Sequence, residues 1–298
     1  MRSRQYSGNS AKRGLLFNAS LALIIFFLPG CSTSTAPTFL KENIPEAIVD
    51  ISKKEYGIDL KARLVGETVW VYFPVENIFE KADKPEKYSE KFLIKESSAQ
   101  FKDGRLEIGY FIRPIPDTEK TQEFKYNKKI LEKINDIISV TRRVMFSAER
   151  EKKREPKFIC IVIADIKTGI EIRELSYYLD LKKVSYNYIS LGEYQHRTIQ
   201  DVSFLPEAVG DKDGLYISYT DIPMGEFISK QIQHRIRLKF QKPEVDKHAD
   251  IDKEIIKIAA VTLKAYGIKN FEEVRLTNQE TSKKVTLNEA AIWARTTD

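Results

Sequence analysis

Phe158-Ile159-Cys160-Ile161-Val162-Ile163-Ala164 is an unbroken apolar run between the charged stretch Glu149 to Lys157 and the turn sequence Asp165-Ile166-Lys167-Thr168-Gly169. It has the length of a strand, and its lack of polar alternation predicts a strand buried on both faces, with packed layers above and below it. Cys160 lies inside the run. It is therefore expected as a buried structural thiol, because a reactive thiolate needs an accessible, electropositive setting.

Working outward, Ile130, Ile134, Ile137, Ile138, Thr141 and Met145 recur at helical spacing and predict an amphipathic helix from Tyr126 to Arg150. On the other side, Ile170-Glu171-Ile172 returns as a hairpin partner. Ser176 to Lys183 reads as a capped short helix, Val184, Tyr186 and Tyr188 as a strand, and Leu215 to Tyr219, opened by Gly214, as another. Pro223 starts a helix carrying Phe227, Ile228 and Ile232. Over Arg235-Ile236-Arg237-Leu238-Lys239-Phe240, helix period and strand alternation fit equally, and Pro243 closes the segment. Ile251, Ile255, Ile258 and Thr262 mark the last long helix. Strands near Glu273 to Leu276 and Lys284 to Leu287 follow, with Asn288 capping a short helix through Trp293.

Nearer the amino terminus, Asn43, Pro45 and Glu46 form a helix start, Ile44, Ile48 and Ile51 share a face, and Gly57 suits a left-handed C-cap. The alternation of Ile58, Leu60, Ala62 and Leu64, the turn Gly66-Glu67 and the run Thr68 to Phe73 predict a hairpin. Pro74 is expected to end it, Val75 to Phe79 to be a short helix, and charged Lys81 to Glu90 a loop. A second hairpin is expected from Lys91 to Ile112, turning at Lys102-Asp103-Gly104 and stopped by Pro114 and Pro116.

Lys54-Glu55-Tyr56-Gly57-Ile58 and Lys264-Ala265-Tyr266-Gly267-Ile268 agree at four of five positions, each at the end of a helix before a hairpin. With Ile130 to Lys183 this suggests three helix-hairpin units, each closing on a short helix. The expected class is α+β, antiparallel β-hairpins with packed helices. The expected divisions are a signal peptide (1–30), a lipidated cysteine and tether (31–42), a first helix-hairpin unit with an inserted hairpin (43–126), a central α+β unit (127–222) and a C-terminal helix-hairpin unit (223–298).

The first two divisions rest on the leader. Arg2, Arg4, Lys12 and Arg13 precede an apolar core from Leu15 to Leu28, with no acidic residue before Cys31. That core is shorter than the roughly 20 residues that span a bilayer, so cleavage is favoured over a transmembrane anchor. Leu28-Pro29-Gly30-Cys31 resembles the lipobox of bacterial lipoproteins, with Pro29 where Ala or Ser is commoner. The resemblance covers residues 1–31. It implies cleavage between Gly30 and Cys31, acylation of the Cys31 thiol and of the new amine, and attachment to membrane lipid. In that family Asp after the cysteine favours the inner membrane, so Ser32 points to the outer one. Ser32 to Phe39 is then a polar tether.

The formal charge is +6, from 49 basic and 43 acidic residues, but the leader holds four of the basic residues and none of the acidic, which leaves +2. That balance gives no reason to expect nucleic acid as a partner. Cys31 and Cys160 are the two cysteines, so a lipidated Cys31 excludes a disulfide framework. His196, His234 and His248 are isolated, and no metal, nucleotide or serine-nucleophile motif occurs, so no cofactor, metal or catalytic residue is assigned.

Asp211, Asp213 and Asp221 flank a tyrosine-rich stretch, and a carboxylate pair held about 5–9.5 Å apart does acid-base work. Asp211-Lys212-Asp213-Gly214 is equally a turn sequence, the preferred reading. The tyrosines at 177, 178, 186, 188, 194, 216 and 219 read mostly as packing residues. Lys230, His234, Arg235, Arg237 and Lys239 read as part of an element with one buried and one solvated face, with contact to anionic headgroups as the alternative. These readings favour a lipid-anchored, periplasm-facing envelope protein with a non-catalytic binding or scaffolding role, meeting an envelope protein or the cell wall through a groove or sheet edge. The alternative is a periplasmic carboxylate-dependent hydrolase acting on cell-wall or polysaccharide material.

Overall fold

The computed structural model describes residues 39–95, 97–148, 155–242 and 244–294, which belong to one compact unit of α+β class. The leader, Gly30, Cys31, the tether to Thr38 and the charged residues 149–154 lie outside the described residues.

The first sheet has the order β1-β2-β6-β7-β8, from β1 (Lys61–Val65), β2 (Thr68–Val75), β6 (Phe158–Asp165), β7 (Ile170–Tyr177) and β8 (Ile199–Phe204). β2 and β6 run parallel, with Trp70 opposite Cys160, and the other pairs are antiparallel. Every residue of β6 is buried. Ile159, Ile161 and Ile163 join the core under helices α1 (Ile44–Tyr56) and α2 (Lys128–Ser147), which bring Ile48, Ile137 and Val144. Phe158, Cys160 and Val162 join a second core on the opposite face. Each such side chain contributes roughly 1.5–3 kcal/mol by leaving water, so this continuous apolar strand stabilises both layers. Asn127 caps α2 by accepting the Lys129 N–H at 3.0 Å. Asn43 does not cap α1. It ends a 3₁₀ turn and makes no side-chain cap bond, leaving Pro45 to start the helix.

The second sheet has the order β10-β9-β5-β3, with β4 also on β5. Its strands are β3 (Phe79–Lys95), β4 (Ala99–Lys102), β5 (Arg105–Tyr126), β9 (Glu273–Asn278) and β10 (Lys284–Leu287). Short helices α3 (Tyr178–Ser185) and α4 (Leu191–Arg197) follow β7. Helix α5 (Met224–Gln241) packs in the second core against α6 (Ile251–Tyr266), β3, β4 and β5, while α7 (Glu289–Ala294) ends the described chain. Phe227, Ile228, Gln231, Ile232, His234 and Ile236 are all buried on α5, so little of its circumference is free. That resolves Arg235 to Phe240 as helix. A helix enclosed between layers needs apolar residues on several faces, which blurs the periodicity. Gly225 has its place because a Cβ there would stand 2.3 Å from the Phe101 ring of β4.

Several expectations are corrected. Pro74 does not end β2, Val75 to Phe79 is not helical, Lys81 to Glu90 is strand, and β5 runs through Pro114 and Pro116 to Tyr126. The two long strands form a ribbon laced by Lys87–Glu119 and Lys120–Glu90 ion pairs at 2.8 and 2.6 Å. Over its middle, where both faces are in water, it needs no apolar alternation. Its register shifts lie between Lys81 and Glu86 and between Glu90 and Phe92, beside the prolines. Val184 to Tyr188 is the end of α3 and a turn with Asn187 at φ +59°, so Tyr186 and Tyr188 are exposed. Leu215 to Tyr219 is irregular, and Ser176 lies in β7 without capping α3.

The order helix then hairpin recurs as α1-β1-β2, α2-β6-β7 and α6-β9-β10, and Gly57 and Gly267 share left-handed C-caps at φ +65° and +64°. The first unit lacks its closing helix. The units also share sheets: the first contributes β1 and β2 to one and β3, β4 and β5 to the other.

Candidate functional site: a cationic cleft beside an open strand edge

The three carboxylates named from the sequence are engaged separately. Asp211 accepts the N–H groups of Asp213, Gly214 and Tyr216 at 2.9–3.1 Å, which fixes the turn reading of that segment. Asp213 pairs with Lys61 at 2.9 Å. Asp221 accepts the Glu67 N–H at 2.8 Å and the Thr68 hydroxyl at 3.1 Å, tying a loop to the β1–β2 turn. Among the described residues no group of His, Cys, Asp and Glu is placed to hold a metal ion. Cys160 is fully buried, and desolvation pushes its thiol up to about 12. Glu174, whose burial raises its carboxyl, accepts from Gln200 at 3.2 Å.

The structure instead brings together parts of the basic group on α5. A cleft of about 360 Å³ opens between the carboxyl end of β3, the adjacent part of β5 and the outer side of β8, with α5 contributing Lys230, Gln233, His234 and Arg237. That volume is within the range of small-ligand pockets. Lys95 adds a further cation, its ammonium 4.4 Å from the centre of the Phe111 ring. Asp201 of β8 is the acidic residue in this lining. A smaller cavity of about 70 Å³ shares Ile199, Asp201 and Lys230 with the cleft and is lined also by Trp70 and Arg173.

The rest of the basic group points elsewhere. Arg235 pairs with Glu193 at 3.0 Å and Lys239 with Glu254 at 3.4 Å, so the five residues do not form one solvated face. Lys230 pairs with Glu226 at 2.8 Å across one helical turn.

His234 is the chemically distinctive group. Arg237 donates to its Nδ1 at 3.1 Å, which leaves the proton of the neutral ring on Nε2. Burial first, then the Arg237 charge, hold its pKa down at about 4, with Asp201 acting in the opposite sense. The ring is therefore neutral at physiological pH. A neutral histidine in a cleft is a recurrent feature of functional sites, and Ser97, Ser203 and Asp201 share this lining with it.

β8 supplies the cleft's second asset. Leu205, just beyond it, donates its N–H to the Gly169 carbonyl at 2.7 Å, so the odd-numbered residues turn their backbone groups toward β7. Consistent with that, the carbonyl of even-numbered Gln200 accepts from Arg237 on the other side. Val202 and Phe204 share the parity of Gln200 and point their N–H and C=O groups outward, and among the described residues no strand pairs there. Their side chains are 50% and 67% exposed.

Sequence reading named the α5 cations but missed β8, whose Ile199-Gln200-Asp201-Val202-Ser203-Phe204 does alternate in part. It also missed α4 before it. Comparison with family models, with curated proteins and with solved structures gives no match to this chain.

Proposed function

We propose that this chain is an envelope lipoprotein, fastened to the outer membrane through acylated Cys31, whose folded part binds or scaffolds a partner in the periplasm without catalysing a reaction. The observation that carries the binding half is the cleft: cations, an apolar wall and unpaired backbone groups converge on it, while the candidate carboxylates are committed to turns and ion pairs elsewhere. Two working carboxyls would have to face one another across a pocket for the hydrolase reading. The anchor half rests on the charged leader, the apolar core and the Leu28-Pro29-Gly30-Cys31 sequence. Several acyl chains, at about 0.8 kcal/mol per buried methylene, hold a protein on a membrane almost permanently. No helix among the described residues is long and apolar enough to cross one.

Feeding the producing cell labelled palmitate tests the anchor. Label is expected on the wild-type chain in the membrane fraction and absent from Cys31→Ala. An unlabelled wild-type chain, or equal label on the variant, overturns the placement.

A further inference from the structure

We propose that the cleft receives an extended peptide segment of another protein, added as a strand to the outer edge of β8, with acidic side chains on the cleft side and apolar ones on the other. The inference deepens the binding role proposed above and rests on it.

Val202 and Phe204 offer two N–H and two C=O groups beyond the part of the edge that α5 reaches, on a strand with no proline or lysine and, among the described residues, no paired strand outside it. An added strand satisfies those groups in main-chain hydrogen bonds, which supply affinity with little dependence on sequence. Gln200 is the exception, since Arg237 already occupies its carbonyl, and this sets one end of the open edge.

Side chains decide what kind of strand fits. Residues of an added strand alternate between the two faces of the sheet. On one face they look into the cleft, toward Lys95, Lys230 and Arg237, where Asp201 faces Arg237 and Glu226 holds Lys230 at 2.8 Å. Asp201 stands 3.4 Å from Arg237, a loose pair in which the guanidinium keeps capacity for a second carboxylate. Among the described residues no carboxylate pairs with Lys95, so an incoming acid meets an available cation. On the opposite face the neighbours are the exposed side chains of Val202 and Phe204, which favour apolar residues. The fitting pattern is therefore acidic and apolar in alternation.

A second copy of this chain is the competing occupant, through β8 paired with its own equivalent. That arrangement would bring two sets of the same cations to one edge, so charge favours a foreign acidic strand.

The test uses the full chain in detergent micelles and a fluorescent, end-capped peptide of alternating Glu and Val matched to the six residues of β8. A Lys and Val peptide of equal length is the control. Saturable binding of the acidic peptide is expected, at least about tenfold tighter than the basic one. Val202→Pro should weaken it about tenfold, because proline removes an outward N–H that serves no bond to β7 and is tolerated on a strand edge. Slowed hydrogen exchange at the Val202 amide should accompany binding, a readout that does not depend on the variant's fold. No binding, equal binding of both peptides, or unchanged exchange at Val202 overturns the proposal. So does a dimer in sedimentation that Val202→Pro dissociates, which assigns the edge to a second copy. If the peptide fails while palmitate still labels Cys31, strand addition falls and the anchored placement stands.

Discussion

At His234, a single side chain reports whether the cleft is as dry and as positively charged as its lining implies. Its folded pKa, about 4, lies below the ordinary histidine value near 6.5. The unfolded chain therefore binds the extra proton first. The stability contributed by the neutral ring is fully present above about pH 6.5 and is lost as pH falls toward 4, roughly 3 kcal/mol in total. Titration of the ring by NMR should give a midpoint near 4. Urea unfolding of the wild-type chain should lose about 2–3 kcal/mol between pH 7 and 4.5 beyond the loss in His234→Gln. A midpoint near 6.5 contradicts the geometry, in which Arg237, Arg235 and His196 oppose the charged form while Asp201 favours it. Histidine isolation was readable in the sequence, but burial beside Arg237 was not, because it requires knowing which faces of α5 are enclosed. Asp211 behaves as the turn residue that its spacing to Gly214 suggests.

At the level of elements, α3, α4 and α5 are joined by a buried ionic bracket. Arg197 donates to Asp180 at 2.8 Å and to Glu193 at 2.7 Å, and Glu193 also accepts from Arg235 at 3.0 Å. The Asp180 side chain is 1% exposed, so removing Arg197 leaves a buried charge with only the more distant Lys183 cation, at 3.7 Å, to offset it. Arg197→Ala should cost about 3–5 kcal/mol in urea unfolding. The double change Asp180→Asn with Arg197→Met should cost markedly less, and equal losses would mean that the pair is not what holds the bracket.

The same scale shows why some elements were legible. The strand from Phe158 to Asp165 and helices α2 and α6 bury full faces, so burial wrote the period into their residues. The Asp103-Gly104 turn was equally plain, with both residues at positive φ, the geometry a two-residue hairpin turn requires. The β3–β5 ribbon left no such trace. Its middle is solvated on both sides and held by cross-strand charges, a composition shared with loops. β8 was missed for a related reason: it is an edge strand with one buried residue, Ile199.

For the whole molecule, layering explains where the cleft lies. α1 and α2 cover one face of the first sheet, and the second core lies on its other face with α5, α6 and the second sheet. β8 is the last strand of the first sheet, so its outer edge meets α5 and the end of β3 instead of a further strand. The expected α+β class was readable from the mix of periods. The interleaving of the three units was not, because parallel pairings such as β5 with β9 join segments far apart in the chain.

The most direct measurement places a photo-crosslinking amino acid at position 203, on the cleft side of β8, in the full chain within the producing cell. The control position is 133 on the exposed face of α2, replacing Ser203 and Lys133 respectively. Irradiation should give a discrete adduct in the membrane fraction from position 203, none from 133, and none from 203 when Arg237→Glu cancels the cleft's net positive charge. No adduct from 203, the same adduct from both positions, or an adduct indifferent to Arg237→Glu would contradict a partner held in the cleft.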